Sequence, residues 1–457
     1  MTPPLSDTER RTDGPESDQP DGLARSTTDR LRDATVCVVG LGYVGLPLAV
    51  GFAQADYRVV GFDVDESKVE TLRNGVDTTG DLSDEAILDG DISYTTDSAA
   101  VRDADYVLVT VPTPVEDERP NLAFIESAAE TVGEHLTRGT TVILESTVYP
   151  GVTREEFAPV IEEASGLEAG EDFFLAYSPE RATPGDGDHS LDSVVKVVGG
   201  QDDTVLEDVA TLYESVVDAG VHRAPSIEVA EACKVVENVQ RDVNIALMNE
   251  LSMALEEMDI DTHDVLEAAG TKWNFHDYQP GLVGGHCIPV DPYFFAHRAK
   301  QAGADPELIL TSRNVNESMP GHISDLTVKA LNDGHKTLCE SRILVLGLSY
   351  KPDVGDIRSS KVANVIDQLQ QFDIDVVGYD PHADDDAVGR AFGIDVQESL
   401  SFAGFDGVLL ATPHTEFDDL DLGTMATALD DNPALIDVPG AFEADDAISQ
   451  GFIYRRI

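Results

Sequence analysis

The loop from Pro280 to Tyr293 contains the side chain best suited to covalent chemistry, the thiol of Cys287. Three glycines and three prolines among its fourteen residues predict a rigid, sharply turning loop, because glycine permits positive φ and proline fixes φ. His286 and Asp291 lie near enough in sequence to tune or assist a thiolate. The pattern is typical of a loop that holds a covalent nucleophile; the alternative is a buried, inert cysteine in a tight turn.

A glycine-rich turn near residue 40 predicts a dinucleotide site. A short apolar run at 35–39 precedes Gly40-Leu41-Gly42-Tyr43-Val44-Gly45, and an apolar helical stretch follows, which is the strand, turn and helix context that a dinucleotide fingerprint needs. The pyrophosphate would rest on the free N–H groups at the helix amino terminus. Asp63 ends the next predicted strand, where an acid accepts hydrogen bonds from the adenosine ribose and favours NAD over NADP.

Further predicted strands deliver polar side chains at their carboxyl ends, where open α/β sheets bind ligands. Thr113 follows the strand at 105–111, and Thr147 follows Thr141–Leu144. Each is placed for cofactor or water contacts, or else caps the next helix. Glu180 and Arg181 follow the strand at 173–177 as either a site pair or a solvated pair, and we favour the site.

One uninterrupted helix is predicted from Ser226 to about Met258, because no glycine or proline occurs over this span. It would be about 50 Å long. Lys234, Asn238 and Arg241 fall on one face of it. Lys234 and Asn238, one turn apart, can point together into a cleft; the alternative is an exposed helix face. Its length and its apolar stripe also suit a subunit interface.

An α/β rhythm resumes near residue 342, with predicted strands that include 376–379 and 407–412. This part of the chain lacks a full glycine fingerprint. We therefore expect a second, smaller Rossmann-like domain that binds the nucleotide half of a substrate rather than a second NAD.

Composition limits the classes of protein that remain. No run of eighteen apolar residues and no apolar signal block occurs, so we expect a cytoplasmic protein with no membrane partner. The four cysteines form no CxxC pair, which argues against a structural metal site and a disulfide framework. Residues 1–33 are polar and predict a disordered tail. Nucleic acid is disfavoured as a partner, because 87 acidic residues face 30 basic ones and give a net charge of −57.

The order of these motifs resembles the UDP-glucose/GDP-mannose dehydrogenase family over about residues 34 to 455. The resemblance rests on GLGYVG, VPTP, EST, SPER, Lys234 with Asn238, GGHC, and the YKPD…DIR segment. It implies an α/β fold of two Rossmann-like doubly wound domains joined by a long central helix that also makes a homodimer. The expected divisions are an NAD-binding domain at 34–222, a central helical domain at 223–332, and a UDP-sugar-binding domain at 333–457.

The resemblance also implies an NAD-dependent, four-electron oxidation of a UDP-sugar at C6, without release of the aldehyde. Cys287 would form a thiohemiacetal that is oxidised to a thioester. Lys234, Asn238 and a water near Asp291 would handle the alcohol proton, and Glu180 with Thr147 would serve thioester hydrolysis. The implied cofactor contacts are Gly40, Gly42, Tyr43, Val44, Gly45, Asp63, Lys68, Thr113, Thr147 and Arg358. The implied substrate contacts are Arg181, Ala182, Lys234, Asn238, Arg241, Gly284, Tyr350 and Lys351.

Within this family the loop is similar to the branch that acts on UDP-N-acetylhexosamines. His286 directly precedes Cys287, Val290 precedes Asp291, and SPER is followed by Pro184-Gly185; the segment 272–275, Lys-Trp-Asn-Phe, points the same way. The gluco, galacto and manno isomers all remain possible substrates. A UDP-glucose 6-dehydrogenase is the alternative, and a non-catalytic NAD-binding regulatory protein is a second one.

The acidic excess is spread along the whole chain, which indicates adaptation to high salt and a haloarchaeal source. Counter-ions would screen the self-repulsion of this surface, since the Debye length falls to about 3 Å at 1 M salt. We expect the thermal unfolding midpoint to rise between dilute buffer and multimolar KCl. Equal midpoints in calorimetry under the two conditions would refute the adaptation.

Overall fold

The computed structural model describes residues 33–79, 82–88, 92–182 and 191–457. The tail expected before residue 33 and the Pro184-Gly185 pair lie outside the described residues. Within these ranges, no helix combines the length and the apolar character needed to cross a membrane.

The first domain is built on a sheet of eight strands in the order β10-β9-β8-β7-β4-β1-β2-β3 among the described residues. All neighbours run parallel except β8 and β9, which run antiparallel. The strands are β1 (Thr35–Val39), β2 (Arg58–Phe62), β3 (Ile92–Thr95), β4 (Tyr106–Val109), β7 (Thr141–Leu144), β8 (Phe174–Tyr177), β9 (Lys196–Gly200) and β10 (Val221–Arg223). A small hairpin of β5 (Val115–Glu116) and β6 (Arg119–Pro120) projects beyond β4.

The predicted strands at 35–39 and 141–144 are confirmed with these bounds, and the strand predicted to lead into Asp63 is β2. Their side chains are almost all buried because helices cover both faces of the sheet, as expected for parallel strands. The helices of this domain are α1 (Gly45–Gln54), α2 (Glu66–Arg73), α3 (Asp84–Leu88), α4 (Ala123–Gly133), α5 (Ala158–Ser165) and α6 (Asp203–Glu214).

The predicted long helix is α7, which spans Ile227–Glu256. Ser226 caps it by accepting a hydrogen bond from the Val229 N–H. Three further helices pack in this central region: α8 (Thr262–Gly270), α9 (Asp291–Gln301) and α10 (Glu307–Asp333). The Cys287 loop connects α8 to α9, so it lies where α7 meets both of its neighbours.

A buried polar network fastens α10 to α7. The Arg313 side chain is 1% exposed and pairs with the fully buried carboxylate of Asp242. Asn316 donates to the same carboxylate at 2.8 Å and accepts from Asn249 at 2.8 Å. Two long helices with so many fixed polar contacts have one relative register, because a slip would leave buried charges unpaired.

The second domain contains a parallel six-stranded sheet in the order β13-β12-β11-β14-β15-β16 within the described part of the chain. Its strands are β11 (Arg342–Leu346), β12 (Asp375–Tyr379), β13 (Asp395–Val396), β14 (Gly407–Leu410), β15 (Ala434–Asp437) and β16 (Ile453–Arg456). Its helices are α11 (Val362–Gln370), α12 (Asp385–Phe392), α13 (Leu422–Ala428) and α14 (Ala444–Ser449). The order reverses between β11 and β14, and a crevice opens at such a point beyond the strand carboxyl ends. Two doubly wound α/β domains joined by a long helix are therefore the architecture that the sequence predicts.

Candidate active site

The glycine turn after β1 has the geometry that a pyrophosphate needs. Gly40 has φ of +95°, and its N–H donates to the Phe62 carbonyl at 2.8 Å. A Cβ on Gly45 would lie 1.9 Å from the Gly40 carbonyl oxygen, so a side chain there is excluded. Gly42 faces open space, which lets a ligand approach the backbone. The turn therefore fits a dinucleotide, whose phosphates would lie against the amino terminus of α1.

Asp63 and Lys68 lie together beside this turn. The Asp63 carboxylate accepts from the Leu41 N–H at 2.8 Å and from the Lys68 ammonium at 2.8 Å. Burial disfavours its ionised form, but these hydrogen bonds and one from the Asp65 N–H outweigh burial and lower its pKa. Asp63 is thus a fixed, ionised acceptor at the end of β2, where the sequence predicts the ribose contact.

Thr113 and Thr147 are both half-buried beyond the carboxyl ends of β4 and β7. Ser146 joins these two strand ends, because its hydroxyl donates to the Val111 carbonyl at 2.6 Å. The carboxyl ends of β4 and β7 are therefore adjacent, as the parallel order requires.

Val44 lies directly before α1 and contributes no side-chain cap.

The Cys287 loop is fixed at both ends by asparagines of α7. Asn249 donates to the Gly281 carbonyl at 3.1 Å and accepts from the Gly281 N–H at 2.7 Å. Asn238 donates to Asp291 at 2.5 Å, and Asp291 is the first residue of α9. The carbonyl of Cys287 accepts from the Asp291 N–H at 2.9 Å, which closes the turn between them.

The second domain holds the middle of the same loop. The Gly285 N–H donates to the Ser359 carbonyl at 3.2 Å. A Cβ on Gly284 would lie 2.8 Å from that carbonyl oxygen, and one on Gly285 would lie 2.9 Å from the Tyr350 ring. The two glycines therefore allow the loop to reach a neighbouring backbone, in addition to any ligand. The Lys351 ammonium lies 6.0 Å from the centre of the Tyr350 ring.

Cys287 is surrounded by the charged residues that the sequence places on one face of α7. Cys287 is solvent-accessible, yet the atoms packed around its thiol desolvate it and raise its pKa. The positive charges of Lys234 and Arg241 oppose this rise, whereas the Asp291 carboxylate adds to it. Asp291 is itself 2% exposed, and burial raises its pKa to about 6 against the effects of Lys234 and Asn238. Asp291 therefore disfavours a resting thiolate, and the cations of α7 favour one.

The side chain of His286, which precedes the thiol in sequence, has contacts in the second domain. Its Nε2 lies 3.2 Å from an Asp356 oxygen, and its ring packs edge-on against Tyr350. Because Asp356 belongs to the second domain, His286 holds the loop to that domain.

Arg358 extends across the cleft from the same segment of the second domain. Its guanidinium pairs with Asp356 at 2.8 Å and lies 5.7 Å from the centre of the Tyr43 ring. It also donates to the Tyr43 hydroxyl at 3.3 Å. This contact joins the glycine turn of the first domain to the second domain. Tyr43 and Arg358, both predicted to contact the cofactor, therefore lie together.

Glu180 and Arg181 are neighbours in sequence but their side chains have different partners. One oxygen of Glu180 accepts from the N–H groups of Arg181 and Ala182 at 2.7 and 2.6 Å. Its other oxygen lies 3.3 Å from the ammonium of Lys196. The Arg181 guanidinium instead pairs with Glu237 of α7 at 2.8 Å. The two residues do not form the pair that their adjacency suggested.

Sequence reasoning missed three buried or half-buried charges at this site: Lys196, Glu145 and Glu237. Lys196 begins the otherwise apolar strand β9, and a lysine in such a strand is a signal that was available. Glu145 was visible only as part of the EST segment. Glu237 lies between Lys234 and Asn238 in sequence, where only the fold reveals that it faces Arg181.

Asp353, His382 and His414 form another cluster of polar groups, with ligand-type atoms within 4.8 Å of one another. His414 Nδ1 already accepts the Asp353 N–H at 2.9 Å, and the Asp353 carboxylate accepts the Thr415 N–H and hydroxyl at 2.8 Å. We interpret this cluster as a set of structural contacts that hold together the loops after β11, β12 and β14.

Comparison with known proteins agrees with this geometry. Three family models match consecutive parts of the chain: the NAD binding domain of the UDP-glucose/GDP-mannose dehydrogenase family at residues 34–217, its central domain at 228–318, and its UDP binding domain at 344–444.

Curated relatives and solved structures match most of the chain. Protein CapL of Staphylococcus aureus is 46% identical, and the match covers 84% of this chain and 90% of the relative. The UDP-N-acetyl-D-glucosamine 6-dehydrogenase of Pseudomonas aeruginosa is 43% identical, over 85% of this chain and 92% of the relative. The structure of a UDP-D-ManNAc dehydrogenase from Pyrococcus horikoshii superposes with a TM-score of 0.83 at 31% identity, over 93% of this chain and 99% of that one.

Two glycine variants test the cofactor turn. We expect Gly45→Ala to weaken NAD binding and to lower stability, because its methyl group collides with the Gly40 carbonyl. Gly42→Ala should leave the unfolding midpoint nearly unchanged and still raise the Kd for NAD by about tenfold or more, equal to about 1.4 kcal/mol, because its methyl group enters the space of the ligand. Calorimetric titration and thermal melts measure both. Unchanged NAD affinity in Gly42→Ala would contradict the placement of the pyrophosphate.

Proposed function

Because the chain belongs to the UDP-glucose/GDP-mannose dehydrogenase family, and is an NAD-dependent nucleotide-sugar dehydrogenase, we propose that its substrate is a UDP-N-acetylhexosamine. The product would be the corresponding uronic acid. The names of the relatives from Pseudomonas aeruginosa and Pyrococcus horikoshii support the acetylated sugar. The observation that carries the mechanism is the convergence of Lys234, Asn238 and Asp291 on the loop of Cys287.

In the first half of the proposed reaction the C6 hydroxyl loses its proton and a hydride. Lys234, with Asn238 and a water near Asp291, takes the proton and stabilises the developing oxyanion. NAD, when bound at the glycine turn, accepts one hydride in each of the two oxidations. The side chains proposed to contact NAD are Tyr43, Lys68, Thr113 and Arg358.

Cys287 makes the second oxidation possible. Its sulfur adds to the aldehyde carbon and gives a thiohemiacetal, whose carbon still carries a hydrogen that can leave as hydride. The resulting thioester is hydrolysed by a water that Glu180 activates and Thr147 orders. In total, one alcohol, one water and two NAD give one carboxylate, two NADH and three protons.

The second domain is proposed to bind the nucleotide half of the substrate. Tyr350 lies against Gly284 and Gly285 of the Cys287 loop. The Lys351 ammonium is 6.0 Å from the centre of the Tyr350 ring, and a cationic side chain suits a pyrophosphate. Arg241 supplies positive charge near the sulfur. Arg181 and Ala182 border the sugar from the first domain, although Glu237 already pairs with the Arg181 guanidinium.

A substrate panel with a cysteine variant tests this proposal. In high salt, we expect UDP-GlcNAc, UDP-GalNAc or UDP-ManNAc to give two NADH per acid, faster than UDP-glucose. Cys287→Ser should lower acid formation by about three orders of magnitude or more with unchanged NAD affinity. The reason is that a serine hydroxyl is a poorer nucleophile than a thiolate toward the aldehyde carbon.

Cys339→Ser is the matched control, because Cys339 is also an exposed free cysteine and has no assigned role. Its kcat should equal that of the parent. A faster reaction with UDP-glucose than with every acetylated sugar would transfer the assignment to UDP-glucose. Normal acid formation by Cys287→Ser would exclude the thioester.

We also propose that the enzyme is a homodimer joined along α7. Four apolar side chains of this helix are exposed: Val229, Val236, Leu247 and Leu251, at 46%, 45%, 51% and 40%. At 100° per residue they lie within a stripe about 60° wide. An exposed apolar stripe on one long helix is typical of a subunit interface that a second copy covers.

The introduction of charge on this stripe tests the dimer. We expect Leu247→Glu combined with Leu251→Glu to yield monomers, because two carboxylates per chain would have to be buried at the interface. Light scattering after gel filtration measures the mass. Ile448→Glu is the control, since Ile448 is 59% exposed on α14, remote in sequence from α7. An unchanged mass for the double variant would place the interface elsewhere.

A further inference from the structure

A buried ammonium lies between two carboxylates in the first domain, beyond the carboxyl ends of β7 and β8. The Nζ of Lys196 is 2.8 Å from Glu145 and 3.3 Å from Glu180. The side chains of Lys196 and Glu145 are 2% and 0% exposed, whereas that of Glu180 is 17% exposed. We call these three residues the acid–lysine–acid triad.

The triad depends on the one antiparallel pair of strands in the first sheet. Glu180 lies just beyond the carboxyl end of β8, and Lys196 is the first residue of β9. Because β9 runs antiparallel to β8, its beginning lies at the same edge as the end of β8. In a parallel strand the first residue would lie at the opposite edge, away from the ligand crevice.

Both oxygens of Glu180 have fixed partners. Two backbone N–H groups, of Arg181 and Ala182, donate to one oxygen, and Lys196 lies beside the other. Burial disfavours the ionised form, yet these contacts outweigh burial and lower the pKa of Glu180. The carboxylate is therefore held by fixed partners that favour its ionised form.

The environment of Glu145 acts in the opposite direction. Burial and the nearby charge of Glu180 outweigh the attraction of Lys196 and raise the pKa of Glu145 to about 7. The Tyr213 hydroxyl donates to its other oxygen. One cation thus serves two carboxyl groups whose pKa values are driven apart, a pattern found where such groups have different tasks.

The Glu180 loop is also tied to the catalytic face of α7. The Arg181 guanidinium pairs with Glu237, which lies between Lys234 and Asn238 on that helix. A purely structural ion pair would be complete with Glu145 and Lys196 alone. The contact to Glu180 instead connects the buried cation to a partly exposed carboxylate beyond the carboxyl end of β8.

We propose that Lys196 is a positioning residue that holds Glu180 ionised and in place to accept the proton of the hydrolytic water, while Glu145 balances its charge. This inference rests on the proposed function. Water adds its oxygen to the thioester carbon, Glu180 takes one proton, and the carbon–sulfur bond breaks. The departing Cys287 thiolate then receives that proton, which leaves a carboxylic acid and a free thiol.

The proposal predicts a pH effect when Lys196 is removed. Among the described residues, the titratable side chains that interact with Glu180 are Lys196 of β9, Glu145 after β7 and Tyr213 of α6. The Arg181 side chain is turned to Glu237 of α7. Without Lys196, both carboxyl groups lose the cation that opposes their burial, so the pKa of Glu180 rises together with that of Glu145. The base would then be available only at higher pH.

Rapid-mixing kinetics of Lys196→Met with NAD and each UDP-N-acetylhexosamine test this directly. We expect the initial burst of two NADH per active site to persist and acid release to slow by about tenfold or more. A thioester should accumulate on Cys287, visible as added mass in intact mass spectrometry. The acidic limb of the acid-release profile should shift to higher pH. Lys329→Met, on an exposed ion pair with Glu256, is the matched control and should behave as the parent.

Several outcomes would overturn the proposal. In one such outcome the NADH burst and the rate of acid release both decrease, no thioester accumulates and the acidic limb does not shift. Lys196 would then only stabilise the fold. If Lys196→Met does not fold, Glu145→Gln replaces it: removal of a like charge should move the same limb to lower pH, and an unmoved limb contradicts the role.

A measurement without substrate separates this inference from the proposed function. If the parent protein oxidises no UDP-sugar, the proposed function fails. Infrared titration of the ligand-free protein, with Glu180→Gln to assign the band, still tests the triad. Lys196→Met should lose the ionised Glu180 band near neutral pH; a band that persists refutes the electrostatic role of Lys196.

Discussion

The placement of the Cys287 thiol depends on two asparagines of α7 that hold the two ends of the Cys287 loop. Asn249 binds the backbone of Gly281, and Asn238 binds the carboxylate of Asp291. The asparagines are eleven residues apart, which is three helical turns on the same face and about 16 Å along the axis. A rigid helix thus fixes the span of a loop whose own glycines would otherwise leave it many conformations. The second domain closes on this loop through Gly285, so the thiol position also fixes how the domains meet.

The two domains use one turn design for different ligands. Gly40 and Gly347 both have positive φ, and the following N–H groups donate to Asp63 and Asp380 at 2.8 and 2.7 Å. Asp380 also accepts from His414 and from three more backbone N–H groups, so it has no free position for a ribose hydroxyl. The second turn also lacks the later glycines that let a pyrophosphate approach. These differences favour a nucleotide held by side chains over a second dinucleotide.

The parts of the structure that follow local rules were accessible from the sequence. Hydrophobic runs and turn residues predicted half of the strands in the described residues to within about two residues, and an unbroken stretch predicted α7. Spacing on a helix placed Lys234 and Asn238 together. The partners of Arg181 and His286 were not accessible, because adjacency in sequence suggests a contact that long-range packing overrides. Asn249 and Lys196 were missed for the same reason: each acts on a residue that only the tertiary fold brings near.

The distribution of charge connects the surface to the chemistry. The chain has 87 acidic and only 30 basic residues, and both the cofactor and the proposed substrate carry pyrophosphates. A uniformly acidic cleft would repel them, since repulsion is weakly screened in a partly desolvated space. Bases therefore cluster at the cleft, with Lys234 and Arg241 near the thiol, and Arg358 at the glycine turn. Lys196 extends this arrangement inward, because its ammonium lies between Glu145 and Glu180 where burial limits screening by water and salt.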